Sequence, residues 1–510
     1  MLFIRPESGN DVIVGSALPG PHVPSLPPCN RNISSCLNYF PNSQVEQGWL
    51  NPIACEIPPE EPNMAEIAAA AIAAEQVIAT GVEAAAAVAI AAPTLPLKVS
   101  LAQLPNPAPE GSPHPSLARS HHTLTVLRNQ NKAIIFGGLD AANDPCPPGI
   151  HTVTLPSTVA PTSPSQTTSD SCEGTAYTAY PPYPFQDDIT GETLLPCARA
   201  EHAACAWGER YLLVHGGREA DGRAIGEDGN CVWRWDCEKL SWGKLRGDSQ
   251  LGREMGARWG HWMWSDEGQG FLVVVGGKGG DGEMEKEAWM YDMNAMVWTA
   301  LPSLPAKPLA AAYAGGRVYV VSRDGEGDGG LGGMVHYLDM KDSATEREKP
   351  GALAWESVSF PANPLAPGPK PREGGALVPL TTGYGREYLV YLFGCSEGEG
   401  KEKEFFSDIW TLQVPSRGRS AAAAKDKVRE KLPGIESGEF RWAEVEIIPT
   451  EQMTEEGKVH PGPRGLFGAD TCLGGHGVVL WGGVNAKGEK ESDGWILRLA
   501  HGYADNYRQE

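Results

Sequence analysis

"FLVVVGG", residues 271–277, is five apolar residues that end on a glycine pair. Five residues suit a strand better than a helix, and unbroken apolarity means that both faces are buried. A glycine pair at the exit permits positive φ and lets another backbone approach closely. The stretch recurs as "AIIFGG" (133–138), "YLLVHGG" (211–217), "YLVYLFGC" (388–395) and "VVLWGG" (478–483). One buried strand with one sharp exit, repeated along the chain, decides the fold class.

Ahead of each run, an arginine opens another short apolar run: Arg119, Arg199, Arg258, Arg372 and Arg464. A degenerate copy lies between the third and fourth of these, with Leu309 at the arginine position and "RVYVVSRDG" in place of the glycine pair. That makes six units whose starts are 80, 59, 51, 63 and 92 residues apart. Third strands follow as "CVWRWD" (231–236), "EAWMYDM" (287–293), "MVHYLDM" (334–340), "SDIWTLQV" (407–414) and "DGWILRL" (493–499). Fourth strands carry an indole at Trp242, Trp298, Trp355 and Trp442.

This order of Arg-led strand, Gly-Gly strand, aromatic strand and Trp strand resembles the kelch-repeat β-propellers, whose period of roughly 50 residues is here stretched. The resemblance covers residues 97 to about 500. It implies an all-β fold of six four-stranded blades around a channel. The last unit has only three strands, whereas "LKVSLAQLP" (97–105) precedes the first arginine. An N-terminal strand is therefore expected to complete the final blade and remove an edge open to aggregation. In blade one the expected third strand is "GIHTVTLP" (149–156), followed by a Ser/Thr/Pro-rich insertion to about 184 that includes the loop "YPPYPF" (180–185). A second insertion, 416–434, reads as a short helix in blade five, on the face opposite the arginines.

Composition agrees with many short strands and tight turns: 61 Gly, 43 Pro and 15 Trp in 510 residues. A formal net charge of −22 disfavours nucleic acid and anionic membrane as partners. Eleven cysteines without a CxxC suggest a reduced, cytoplasmic or nuclear setting. Residues 1–63 read as a disordered Pro-rich extension, 64–96 as an Ala-rich helix and linker, 97–500 as the propeller and 501–510 as a tail. Glu66, Glu75 and Glu83 break the Ala-rich run below the length of a membrane span.

In kelch propellers the inner strand begins at one channel mouth, where family members use arginine to contact acidic ligands. By resemblance, then, Arg119, Arg199, Arg258, Arg372 and Arg464 ring a mouth, joined from the loops after the second strands by Arg218, Lys278 and Arg323. Guanidinium forks suit carboxylate or phosphate. The structural alternative is that the blade arginines hydrogen-bond carbonyls of neighbouring blades. His122, His202 and His261 each stand three residues after an arginine and offer a metal-ligand set only if they converge. In the family this histidine satisfies backbone groups between blades. Ala312, Gly375 and Phe467 replace it in the other units, and no copper-ligand set of the oxidase propellers is recognisable. The Gly-rich charged loops read as solvated, mobile rims. "GKGGDG" (277–282) has the form of a dinucleotide fingerprint, but the repeat accounts for its glycines.

The expected function is a non-catalytic scaffold for an acidic peptide or protein partner, with no cofactor. The alternative is an isomerase- or cyclase-type enzyme, or a pathway protein, that binds a small anionic metabolite in the same depression. No catalytic constellation stands out.

Overall fold

Every repeat of the sequence becomes one sheet whose four main strands are antiparallel, and the six sheets form a six-bladed β-propeller. This computed structural model describes residues 94–499, with breaks at 108–115, 157–175, 187–190, 227–230, 246–247, 250–254, 324–331, 341–352, 361–367, 384, 397–402, 418–419, 432–437 and 450–457. The expected extension and all but 94–96 of the Ala-rich segment lie outside the described residues, as does the tail.

The inner strands are Thr123–Leu127, Ala203–Trp207, Trp262–Asp266, Pro308–Ala314, Ala376–Thr381 and Gly468–Cys472. Each pairs with the strand that leads into the glycine pair or its substitute, for example Trp262–Asp266 with Phe271–Val275. Those second strands are sequestered because both of their faces meet a neighbouring blade: Leu272, Val274 and Val275 are wholly buried. An apolar cluster fills each of the six interfaces between blades, so the core is a ring of six seams.

The seam between blades six and one packs Cys472, Val479 and Trp481 against Leu124, Val126 and Ile135. Ring closure is made by Lys98–Leu104, which lies antiparallel to Gly494–Leu499 as the fourth strand of blade six, with Leu101 opposite Leu497. Glu446–Ile447 then adds in parallel to its outer edge. The closing strand lacks the Trp of other fourth strands and instead buries Val99, Leu101 and Leu104.

Two elements differ from the sequence reading. The stretch taken as insertion in blade one contains the missing fourth strand, Tyr177–Tyr180, paired with Ile150–Thr154. "YPPYPF" then leads into a two-residue pairing of Phe185–Gln186 with Thr193–Leu194. In blade four Leu309 sits at a register shift between Pro308 and Ala310.

Among the described residues the one α-helix is Ala421–Arg429. Ser420 caps it by accepting a hydrogen bond from the Ala423 N–H. Its Asp426 pairs with Arg386, at the turn joining the first two strands of blade five, which places the helix on the face away from the blade arginines. No helix among the described residues is long and apolar enough to cross a membrane.

Candidate functional site: the channel mouth

The five blade arginines are almost entirely buried: Arg199, Arg372 and Arg464 are 0% exposed, Arg258 2% and Arg119 3%. A buried guanidinium needs acceptors for its donors. Each finds the first in its own blade. Through Nη1, Arg119 donates to the carbonyl of Gly137, Arg199 to Gly216, Arg258 to Gly276, Arg372 to Phe393 and Arg464 to Gly482, at 3.0–3.2 Å. The arginine therefore ties the start of the inner strand to the exit of the second. The expected alternative placed those carbonyls in the neighbouring blade.

In three blades the charge is neutralised by a carboxylate two residues before the third-strand tryptophan, whereas in blade two that position is Cys231 and Arg199 reaches the Cys197 carbonyl and Sγ. Glu287 pairs with Arg258 at 2.8 Å, Asp408 with Arg372 at 2.6 and 2.9 Å, and Asp493 with Arg464 at 2.7 Å. The same carboxylates accept from the indole N–H of Trp289, Trp410 and Trp495. Burial would raise the carboxyls of Asp408 and Asp493, but the arginine forks outweigh it and hold both below the usual range. In blade one an imidazole takes the place of the carboxylate, with Arg119 Nη2 3.2 Å from His151 Nε2. Acid-x-Trp was readable in "EAW", "DIW" and "DGW" as the arginine's counter-charge.

Neighbouring blades are joined by the backbone. The second glycine N–H of one blade donates to the arginine carbonyl of the next: Gly138 to Arg199, Gly217 to Arg258, Gly394 to Arg464 and Gly483 to Arg119, all at 2.9 Å. The last of these crosses the ring closure.

His122, His202 and His261 stand on successive seams and do not converge. His202 Nε2 lies 2.8 Å from Thr123 Oγ1, and His261 Nε2 lies 3.0 Å from His215 Nδ1, so these two reach a side chain of the preceding blade, while His122 meets the backbone of Trp481. The imidazoles explain the glycines. A Cβ at Gly137 would lie 2.7 Å from His202 Cε1, and one at Gly216 would lie 2.5 Å from His261 Cε1. In blade five Phe393 replaces the first glycine and packs edge-on against Phe467, which stands where the histidine would be. Among the described residues no three His, Cys, Asp or Glu side chains come together as a metal site.

The residue two after each arginine has a left-handed backbone: His121 (φ 55), Glu201 (φ 53), Gly260 (φ 65), Gly374 (φ 63) and Leu466 (φ 60). Their peptides chain around the throat, Gly260 N–H to Glu201, Glu201 to His121, His121 to Leu466, and Leu466 to Gly374, at 2.7–2.9 Å. This inner ring brings His121 and Glu201 within 3.6 Å of each other. Burial drives the His121 imidazole down to about 4; Glu201 opposes that shift, while Arg218, Lys490 and Lys403 add to it. The sequence reading passed over His121 and Glu201, although both stand at a fixed offset from the arginines.

Arg218 and Lys278 occupy equivalent places beyond the glycine pair, where Arg218 bridges Ala200 and Lys278 bridges Trp259. Both cations lie over the Trp259 indole, the Arg218 guanidinium carbon at 5.5 Å and Lys278 Nζ at 4.6 Å from the ring centroid. Arg218 Nε also donates to Glu201 at 2.7 Å. Arg323 is exposed at the exit of the second strand of blade four. Lys490 reaches across the ring closure to Asn143 at 2.7 Å. The rim loops of blades one, two, three and six are tight turns rather than open loops: Asp140 N–H reaches Asp144, Glu219 Arg223, Gly279 Glu283, and Asn485 Glu489, at 2.9–3.0 Å. Asp140, Asp221, Asp281 and Asn485 brace them by accepting from N–H groups two residues on.

No family model matches the chain, and no curated protein does. Among solved structures it is similar to one titled "Structure of YjhT", with 14% identity over 75% of this chain and 94% of that one and a TM-score of 0.44.

Proposed function

We propose that the chain is a kelch-type propeller acting as a binding scaffold, and that its channel mouth holds an acidic peptide or a segment of a partner protein without catalysing a reaction. The blade arginines frame this mouth and the ligand meets a second layer of cations. The observation that carries the reading is the pair Arg218 and Lys278 over Trp259, because cation and indole side chains are the groups that anchor protein partners. Lys403 and Lys490 extend the positive charge to blades five and six of a protein whose net charge is −22. Cations standing on four separate blades suit an extended ligand better than a compact metabolite.

The test is fluorescence anisotropy with labelled hexaglutamate. Each lost charge-assisted hydrogen bond removes about 1.5–3 kcal/mol, so Arg218→Ala with Lys278→Ala is expected to weaken binding by about 10-fold or more. Unchanged affinity in the double variant would remove the mouth from consideration.

A further inference from the structure

The two mouth cations are not equally available, and the difference lies in the residue that faces each from the throat. In blade two that residue is Glu201, whose Oε1 holds Arg218 Nε at 2.7 Å, with side-chain exposures of only 17% and 18%. In blade three it is Gly260, and no carboxylate among the described residues lies within 4 Å of Lys278. Gly260 also leaves room for its neighbour: a Cβ there would stand 3.5 Å from Glu201 Oε2. Leu466 shares the left-handed backbone, so conformation alone does not single out Glu201; its ion pair does.

We infer, resting on the proposed function of this mouth, that it selects ligands bearing two acidic groups one residue apart and discriminates against single ones. A lone carboxylate that takes Arg218 displaces Glu201 and exchanges one charge-assisted bond for another, while association still costs translational and rotational freedom. A second acidic group gains Lys278, which gives up no carboxylate. Both cations lie within 5.5 Å of the Trp259 ring centroid. Alternate residues of an extended peptide, roughly 7 Å apart on one face, can reach both. Glu201 is thus a specificity-determining residue, an internal competitor that sets the minimum charge of the ligand.

The experiment is calorimetric titration at low salt with acetyl-Gly-Glu-Gly-Ala-Gly-amide and acetyl-Gly-Glu-Gly-Glu-Gly-amide, after melting curves have shown each variant folded at the assay temperature. The wild-type chain is expected to bind the two-acid peptide at least about 10-fold more tightly than the one-acid peptide. Lys278→Ala is expected to abolish that difference, and Glu201→Gln to improve one-acid binding by about 10-fold. Glu285→Gln removes another carboxylate from the same rim without touching Arg218, and is expected to change either affinity by less than about 2-fold. Equal binding of the two peptides by the wild type overturns the selection rule, as does a gain from Glu285→Gln matching that from Glu201→Gln, which would make the effect one of long-range field. If neither peptide binds the wild type or Glu201→Gln, the reading of the mouth fails together with the rule.

Discussion

Replacing Arg464 by methionine lowers the stability of the propeller by about 3–5 kcal/mol, the penalty of leaving a buried charge without its partner. Arg464 is 0% exposed, and Asp493, which accepts from it at 2.7 Å, is nearly as buried. The Trp495 indole N–H still donates to Asp493 at 2.8 Å and the half-exposed Lys458 Nζ stays 3.8 Å away, but neither replaces the buried guanidinium. The carbonyls of Gly482 and Pro461 lose their donor in the same substitution. Arg119→Met makes the comparison. Its guanidinium faces the His151 imidazole and backbone carbonyls, so no anion is stranded, and the expected loss is about 1–3 kcal/mol. Urea denaturation of the two variants measures the difference. Adding Asp493→Leu to Arg464→Met should recover part of the loss, since an apolar pair of similar volume can replace a buried ion pair. Equal losses for Arg464→Met and Arg119→Met would mean that the carboxylate contributes nothing.

Acidification from pH 7 to pH 5 should destabilise the protein strongly, through imidazoles and ahead of carboxylates. Burial holds His122 and His261 well below the ordinary value and brings His202, His215 and His151 down to about 3. In the unfolded chain these groups take up protons near pH 6.5, whereas in the folded chain they remain neutral. Their contribution to stability is full above pH 6.5 and is lost as the pH falls toward their folded values, at about 1.4 kcal/mol per pH unit for each. With His121, which burial brings to about 4, six such groups together lose about 8 kcal/mol per unit below pH 6, comparable with the whole stability of a typical domain. The paired carboxylates of Asp408 and Asp493 lie below the usual range, and what they contribute persists until roughly pH 4. Relief of repulsion in this acidic protein has the opposite sign, yet it arises mainly where carboxylates titrate, below about pH 4.5. Melting temperature measured at pH 7.5, 6 and 5 should therefore fall steeply, and His202→Asn should flatten the slope by about one sixth. A melting temperature constant over that range would show that the buried histidines are protonated in the folded state.

The blade repeat was legible because every second strand is buried on both faces and ends where another backbone must pass. Such a strand tolerates few residue types, and "FLVVVGG" declares itself. Ring closure by Lys98–Leu104 was legible for the complementary reason that the last unit was one strand short. Tyr177–Tyr180 was not, since four residues within a Ser/Thr/Pro-rich stretch carry no periodicity. The arginines misled in a different way. Their position at the head of the inner strand is visible in sequence, but the direction of the guanidinium depends on what waits for it, which for Arg258, Arg372 and Arg464 is a third-strand carboxylate some 30 residues later. His121 and Glu201 were hidden because a left-handed backbone at a non-glycine residue has no sequence signature.

In the proposed function labour is divided: the blade arginines hold the ring and the cations beyond the glycine pairs meet the ligand. Arg258→Lys and Lys278→Ala, compared for melting temperature and for calorimetric affinity toward acetyl-Gly-Glu-Gly-Glu-Gly-amide, separate the two roles within one blade. Arg258→Lys should melt several degrees lower, because lysine cannot reach Gly276, Gly256 and Glu287 together, yet bind the peptide as the wild type does. Lys278→Ala should melt as the wild type does and bind at least about 10-fold more weakly. Loss of peptide binding in a folded Arg258→Lys protein, with binding intact in Lys278→Ala, would contradict the account.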